Sequence, residues 1–168
     1  ILSDTLFINE SMSIQLFGVS DCYQNRADLT TQFVLPQPVS KGLVINEILY
    51  DPVPGGVDFL ELYNHTDGHI SLNGLSIGNG DEEAMLPIGT TMEPFAYLLL
   101  TPDTLKHLLE FPNTPLNTLL EFNLPAMPNE GGMLFLRRDN SIDVMNYEDE
   151  LHSSLLASTE GVVGFRIQ

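Results

Sequence analysis

The segment Asp58-Phe-Leu-Glu-Leu-Tyr-Asn64 alternates regularly enough to define its own backbone. Residues two apart in an extended chain share a face, so Leu60 and Leu62 look one way while Phe59, Glu61 and Tyr63 look the other. The Leu60/Leu62 face is the one expected in a core. Just upstream, Leu43-Val-Ile-Asn-Glu-Ile-Leu-Tyr-Asp-Pro52 is a second run of strand formers that closes on a turn signal. Further strand-like runs recur with turn residues between them, the pattern of an all-β chain folded as a two-sheet sandwich. Asn73-Gly74, between Ile70/Leu72 and Leu75/Ile77, predicts a two-residue hairpin, and Asn79-Gly80 opens the next connection.

One short helix is expected. Thr101 suits the cap, Pro102 the first helical position and Asp103 the positive end of the dipole. Leu105, Leu108 and Leu109 then fall on one face before Pro112 stops the run, which predicts a helix plugging one end of the sandwich with Lys106 and His107 in solvent.

The first residues read differently. Met12–Val19 and Leu29–Leu35 have strand composition, and Ser20-Asp-Cys-Tyr-Gln-Asn25 supplies the turn between them. Pro36-Gln-Pro-Val-Ser-Lys-Gly42 is rich in breakers and marks a boundary. Residues 1–38 are therefore read as a hairpin stub plus linker, and residues 42–168 as the main domain. About 36 residues cannot bury a sandwich core alone. The stub is expected to belong to a truncated upstream domain, or to pair with the main sheet or a neighbouring molecule, and its open edges allow a homodimer.

With 43% hydrophobic residues, a chain of 168 residues is long enough for one well-buried core. Six basic against 23 acidic residues give a formal charge of −17. Nucleic acid is then a poor partner, because binding it depends on neutralising phosphates with Lys and Arg. No apolar run approaches the roughly 20 residues needed to cross a bilayer as a helix. The opening Ile1-Leu-Ser-Asp4 has neither an initiator Met nor a signal region, so the chain is expected to be a piece of a longer protein. Cys22 is the single cysteine, so no disulfide forms within the chain, although an upstream cysteine could pair with it.

The common catalytic signatures are absent: there is no nucleophile elbow, phosphate loop, paired-cysteine zinc site or His-Glu-x-x-His run. His65, His69, His107 and His152 fall in turns or at the helix. Glu47, Asp51, Asp58 and Glu61 lie in the two signature strands and their connection. Two roles compete for them. As structural groups they accept hydrogen bonds from loop amides and brace the Pro-Gly turn. As ligands they converge on calcium, which takes about six to eight oxygens. Asp81-Glu82-Glu83 and Glu148-Asp149-Glu150 read as solvated acidic turns. Asn64-His-Thr66 and Asn9-Glu-Ser11 match a glycosylation triplet. Arg137-Arg138 is the only basic pair, with a salt bridge to Asp139 or Asp143 expected.

The two signature strands are followed by Ile70-Ser-Leu-Asn-Gly-Leu-Ser-Ile77, Phe95-Ala-Tyr-Leu-Leu-Leu-Thr101, Leu124-Pro-Ala-Met-Pro-Asn-Glu-Gly-Gly132 and Ser141-Ile-Asp-Val-Met-Asn-Tyr147. In order and rough spacing they resemble the bacterial branch of the lamin tail domain family over roughly residues 42 to 168. Gly161-Val-Val-Gly-Phe-Arg-Ile167 is similar only loosely to the family's closing strand. A nuclear lamin itself is not expected, since the chain has no heptad rod and ends Arg-Ile-Gln. The resemblance implies an immunoglobulin-like β-sandwich without catalytic activity and without a resident cofactor. Residues 1–38 likewise resemble the final hairpin of bacterial immunoglobulin-like repeats that commonly precede this domain.

The implied role is a binding, anchoring or spacer module of a secreted or cell-surface bacterial protein with several domains, acting on a protein or envelope component. The alternatives are a calcium-dependent adhesion or carbohydrate-binding module, or an accessory domain of an extracellular hydrolase or nuclease. Sugar chemistry by a carboxylate pair would need aromatic platforms, and the chain has no Trp and only five Tyr.

Overall fold

The computed structural model describes residues 6–39, 41–148 and 161–165. An antiparallel ribbon of β1 (Ser11–Ser20) and β2 (Arg26–Val34) comes first and pairs with no other strand among the described residues. Next come β3 (Gln37–Pro38), β4 (Leu43–Leu49), β5 (Phe59–Asn64), β6 (Ile70–Ser71), β7 (Ser76–Gly78), β8 (Glu83–Met85) and β9 (Thr91–Met92). They are followed by β10 (Tyr97–Thr101), helix α1 (Thr104–Glu110), β11 (Leu119–Glu121), β12 (Gly131–Arg137), β13 (Ser141–Glu148) and β14 (Gly164–Phe165).

Two sheets carry the core. One runs β11-β10-β5-β4-β14 and the other β13-β12-β7-β8, with a small third sheet β3-β6-β9. The alternation read from the sequence decides which side chains meet. Ile45, Ile48, Leu60, Leu62 and Leu100, all completely buried, pack in one cluster with Leu134, Leu136, Met145 and Tyr147 of the facing sheet. Each such burial stabilises the fold by about 1.5–3 kcal/mol. The rings of Tyr50 and Tyr147 stack across this interface with centroids 4.6 Å apart.

A bulge interrupts the β4–β5 ladder between Ile45 and Glu47. Bulging removes Ile45 N–H from the ladder, and Asp143 Oδ2 on β13 accepts it at 2.8 Å, tying the two sheets together. Arg138 makes a second tie. Its guanidinium donates to the carbonyls of Val39 at 3.2 Å, Ser71 at 3.1 Å and Asn73.

Several expectations change at this level. The helix starts two residues later than predicted: Asp103 caps it by accepting from Lys106 N at 3.0 Å, while Thr101 ends β10 and donates its hydroxyl to Asp58 O. Leu105 and Leu109 are exposed and His107 is buried, the reverse of the expected stripe. The helix is docked by His107 and by Phe111, one turn on, whose rings both meet the Phe59 ring edge-on.

Asn73-Gly74 does form a tight turn, with Leu75 N donating to Leu72 O, but β6 and β7 diverge into different sheets. Only Gly74 of the two takes a positive φ, +72°, whereas the hairpin turn that matches strand twist needs it at both central positions. Asn79-Gly80 is the true hairpin, between β7 and β8.

Part of the stretch read as linker is sewn into the sandwich: Gln37–Pro38 pairs with β6, and Val39 is buried in the core. Arg137 pairs with Glu83, donating Nε to Oε1 at 2.6 Å and Nη2 to Oε2, not with Asp139 or Asp143. Glu83 is therefore no free loop tip, and it also accepts from Ser76 Oγ. Asp149, Glu150 and His152 lie outside the described residues.

Candidate functional site

Strand parity separates the four carboxylates singled out from the sequence. Glu61 shares the outer face of β5 with Phe59, and Glu47 sits directly opposite it on β4. Asp58, one residue before β5, has the parity of Leu60 and Leu62 and so faces the inner side. There it lies close enough to Asp51 and Tyr147 to be felt electrostatically by both. The result is two carboxylate pairs on opposite sides of one sheet. Among the described residues no three acidic, histidine or cysteine side chains gather as a metal-binding group.

The inner pair is held at the Tyr50–Tyr147 corner. Asp51 accepts from Asn129 Nδ2 at 2.5 Å. Asp58 is half-buried, and desolvation, with a smaller contribution from Asp51, pushes its carboxyl up to about 6. Burial first, then Asp58, pushes the Tyr147 phenol up to about 12.

The outer pair lines a cavity of about 250 Å³ whose other walls include Phe59, Leu99, His107 and Phe111. The register explains the composition: Glu47, Glu61, Leu99 and Leu119 are successive partners across four strands. Glu61 Oε1 accepts from Asn46 Nδ2 at 2.8 Å. Burial still holds its carboxyl above the ordinary value, with Glu47 adding to the effect and the Asn46 bond opposing it. His107 is 1% exposed, its Nε2 lies 3.0 Å from Thr114 Oγ1, and its Nδ1 has no partner. Burial holds the imidazole below its ordinary value, so it is neutral at physiological pH. On the far side of the acidic pair, Tyr63 and Tyr97 stack with centroids 4.5 Å apart.

His65 is exposed and His69 half-buried in the loop after β5. Asn64, the first residue of a glycosylation triplet, is completely buried: its amide donates to Gly68 O and Glu93 O and accepts from Thr66. That side chain is unavailable for modification in the folded domain. Cys22 is exposed at the tip of the ribbon. His107 is the site residue that sequence periodicity missed. The available signal was its spacing of four from Phe111, which places both rings on one helix face.

Two β-sheets packed face to face over a shared apolar core, with one short helix outside, define an immunoglobulin-like β-sandwich. Residues 36–149 match the family model of the Lamin Tail Domain, and the chain belongs to that family. Membership implies an immunoglobulin-like module of a generally non-catalytic kind. No characterised protein and no solved structure matches the chain.

Proposed function

We propose that this chain is a binding and anchoring module of a secreted or surface-attached multidomain bacterial protein, acting through contacts with a protein or envelope component. The observation that carries this reading is the β1–β2 ribbon, which lies outside the family match. Its cross-strand pairs Met12–Phe33, Ile14–Thr31, Leu16–Leu29 and Val19–Ala27 place apolar side chains on one face. Ile14, Leu16, Val19 and Leu29 on that face are 38–52% exposed. A two-stranded ribbon is marginal in water by itself, and an amphipathic one gains stability when another sheet covers it. This supports the view that the ribbon completes a preceding immunoglobulin-like domain, so that the sandwich is one unit in a tandem array. The acidic surface of the array keeps it soluble and repels other acidic surfaces.

The test is retention of the fluorescently labelled chain on envelope fragments from the source cells. Saturable binding that unlabelled chain competes away supports the module reading. Retention no greater than that of an unrelated protein of equal negative charge would overturn it.

A further inference from the structure

The outer carboxylate pair leaves an unresolved electrostatic conflict. Like charges directly opposite each other on paired strands destabilise a sheet. Among the described residues neither Glu47 nor Glu61 meets a lysine or arginine; the ion pairs there are Lys106–Asp103 and Arg137–Glu83. The conflict is not dispersed into bulk solvent, because both residues are half-buried against the walls of a cavity of about 250 Å³. A second observation points the same way. His107 forms part of the same wall, is 1% exposed, and keeps a shielded Nδ1 without a partner. With Nε2 donating to Thr114 Oγ1, Nδ1 is an acceptor. Two carboxylates and an imidazole acceptor are therefore gathered among aromatic rings with no donor to serve them.

We infer that this cavity receives the guanidinium of an arginine side chain presented by a partner polypeptide. The inference rests on the binding-module reading and specifies where on the domain a partner would be held. The match is chemical at each point. A guanidinium is a planar fork of five donors, suited to bridging two carboxylates. Its faces are weakly hydrated and stack on aromatic rings, and Phe59 and Phe111 provide them. The methylene stem lies along Leu99, and the rest of the partner reaches the Tyr63–Tyr97 stack, where Tyr97 is 46% exposed. Calcium fits less well, because two carboxylates and an imidazole among aromatic walls supply too few oxygens for it.

The experiment is an amide chemical-shift titration of the full chain with an acetylated, amidated Gly-Arg-Gly peptide. The same peptide carrying citrulline is the neutral isostere. The expected result is saturable shifts centred on Glu47, Phe59, Glu61, Leu99 and His107, with citrulline at least about tenfold weaker, as expected for loss of one charge-assisted contact. Glu47→Gln and Glu61→Gln each remove one partner and are expected to weaken arginine binding by a similar factor. Both variants also relieve repulsion, so their melting points should hold or rise.

Equal shifts with arginine and citrulline, or shifts spread evenly over the acidic surface, would overturn the site. So would calcium moving these amides where the arginine peptide does not. Because the wild-type shift map already locates binding, a variant that fails to fold does not protect the inference. Failure here with envelope retention intact removes the arginine site alone, whereas loss of both removes the module reading as well.

Discussion

Asp58→Asn is expected to make this protein more stable at neutral pH. The carboxyl sits half-buried beside Asp51 and the Tyr147 ring, and folding moves it from 3.8 to about 6. Between those two pH values the folded chain holds a proton that the unfolded chain has released. Folding stability therefore falls as pH rises through that window, and at pH 7 the whole penalty is present. Taken at face value the shift corresponds to about 3 kcal/mol. Solvent reaches a half-buried group and screens it, which reduces the penalty to about 1–1.5 kcal/mol. Asparagine has the shape of the protonated acid and carries no charge, so the variant escapes the penalty. For a chain of 168 residues that is a rise in Tm of about 2–6 °C. The assay is circular-dichroism melting of both proteins from pH 4 to 7.5, read as the difference between their midpoints. That difference should be largest at pH 7 and shrink towards zero near pH 4. A difference that is flat with pH, or a variant less stable at pH 7, would refute the assignment of Asp58 as a buried, strained carboxylate.

Three further outcomes follow from the contacts. Arg138→Ala removes donors to three carbonyls that join β6 and the Val39 segment to β12, and should cost about 2–4 kcal/mol in chemical denaturation. Arg137→Ala, which loses only an exposed pair, should cost clearly less. Asp143→Ala strips the acceptor from Ile45 N–H at the bulge and should cost about 1–3 kcal/mol, measured by the same urea titration. Millimolar calcium added after chelation should leave the melting midpoint within about 1 °C, because a sheet separates the two carboxylate pairs; a rise of several degrees would show a site the geometry does not contain.

How much of this was legible in the chain depends on the range of the interaction. The β4 and β5 strands, their inner faces and the N-terminal hairpin follow from local alternation and turn residues, and all three form where expected. Strand parity could also have separated Asp58 from Glu61, since an odd spacing in an extended segment sends side chains to opposite faces. What failed was non-local. Thr101 and Asp103 are both competent caps, and the choice fell to Asp103 because Thr101 is paired with Glu121 in the sheet and bonded to Asp58. The helix turned His107 inward because Phe59 and Phe111 offered rings to pack against, whereas the leucine stripe met nothing. Arg137 found Glu83 rather than Asp139 because β7 carries the β8 hairpin alongside β12. No local spacing encodes that neighbour. The outer site is legible only after pairing: Glu47 and Glu61 are 14 apart in sequence and opposite in register.

The division into a self-sufficient sandwich and a ribbon awaiting a cover is the centre of this account, and hydrogen–deuterium exchange on the isolated chain tests it most directly. The account predicts that amides of β4, β5 and β10 exchange only through global unfolding, while those of β1 and β2 exchange orders of magnitude faster. Protection of the ribbon equal to that of β5 would contradict it, because the ribbon would then be an integral part of the domain rather than a surface made for a neighbour.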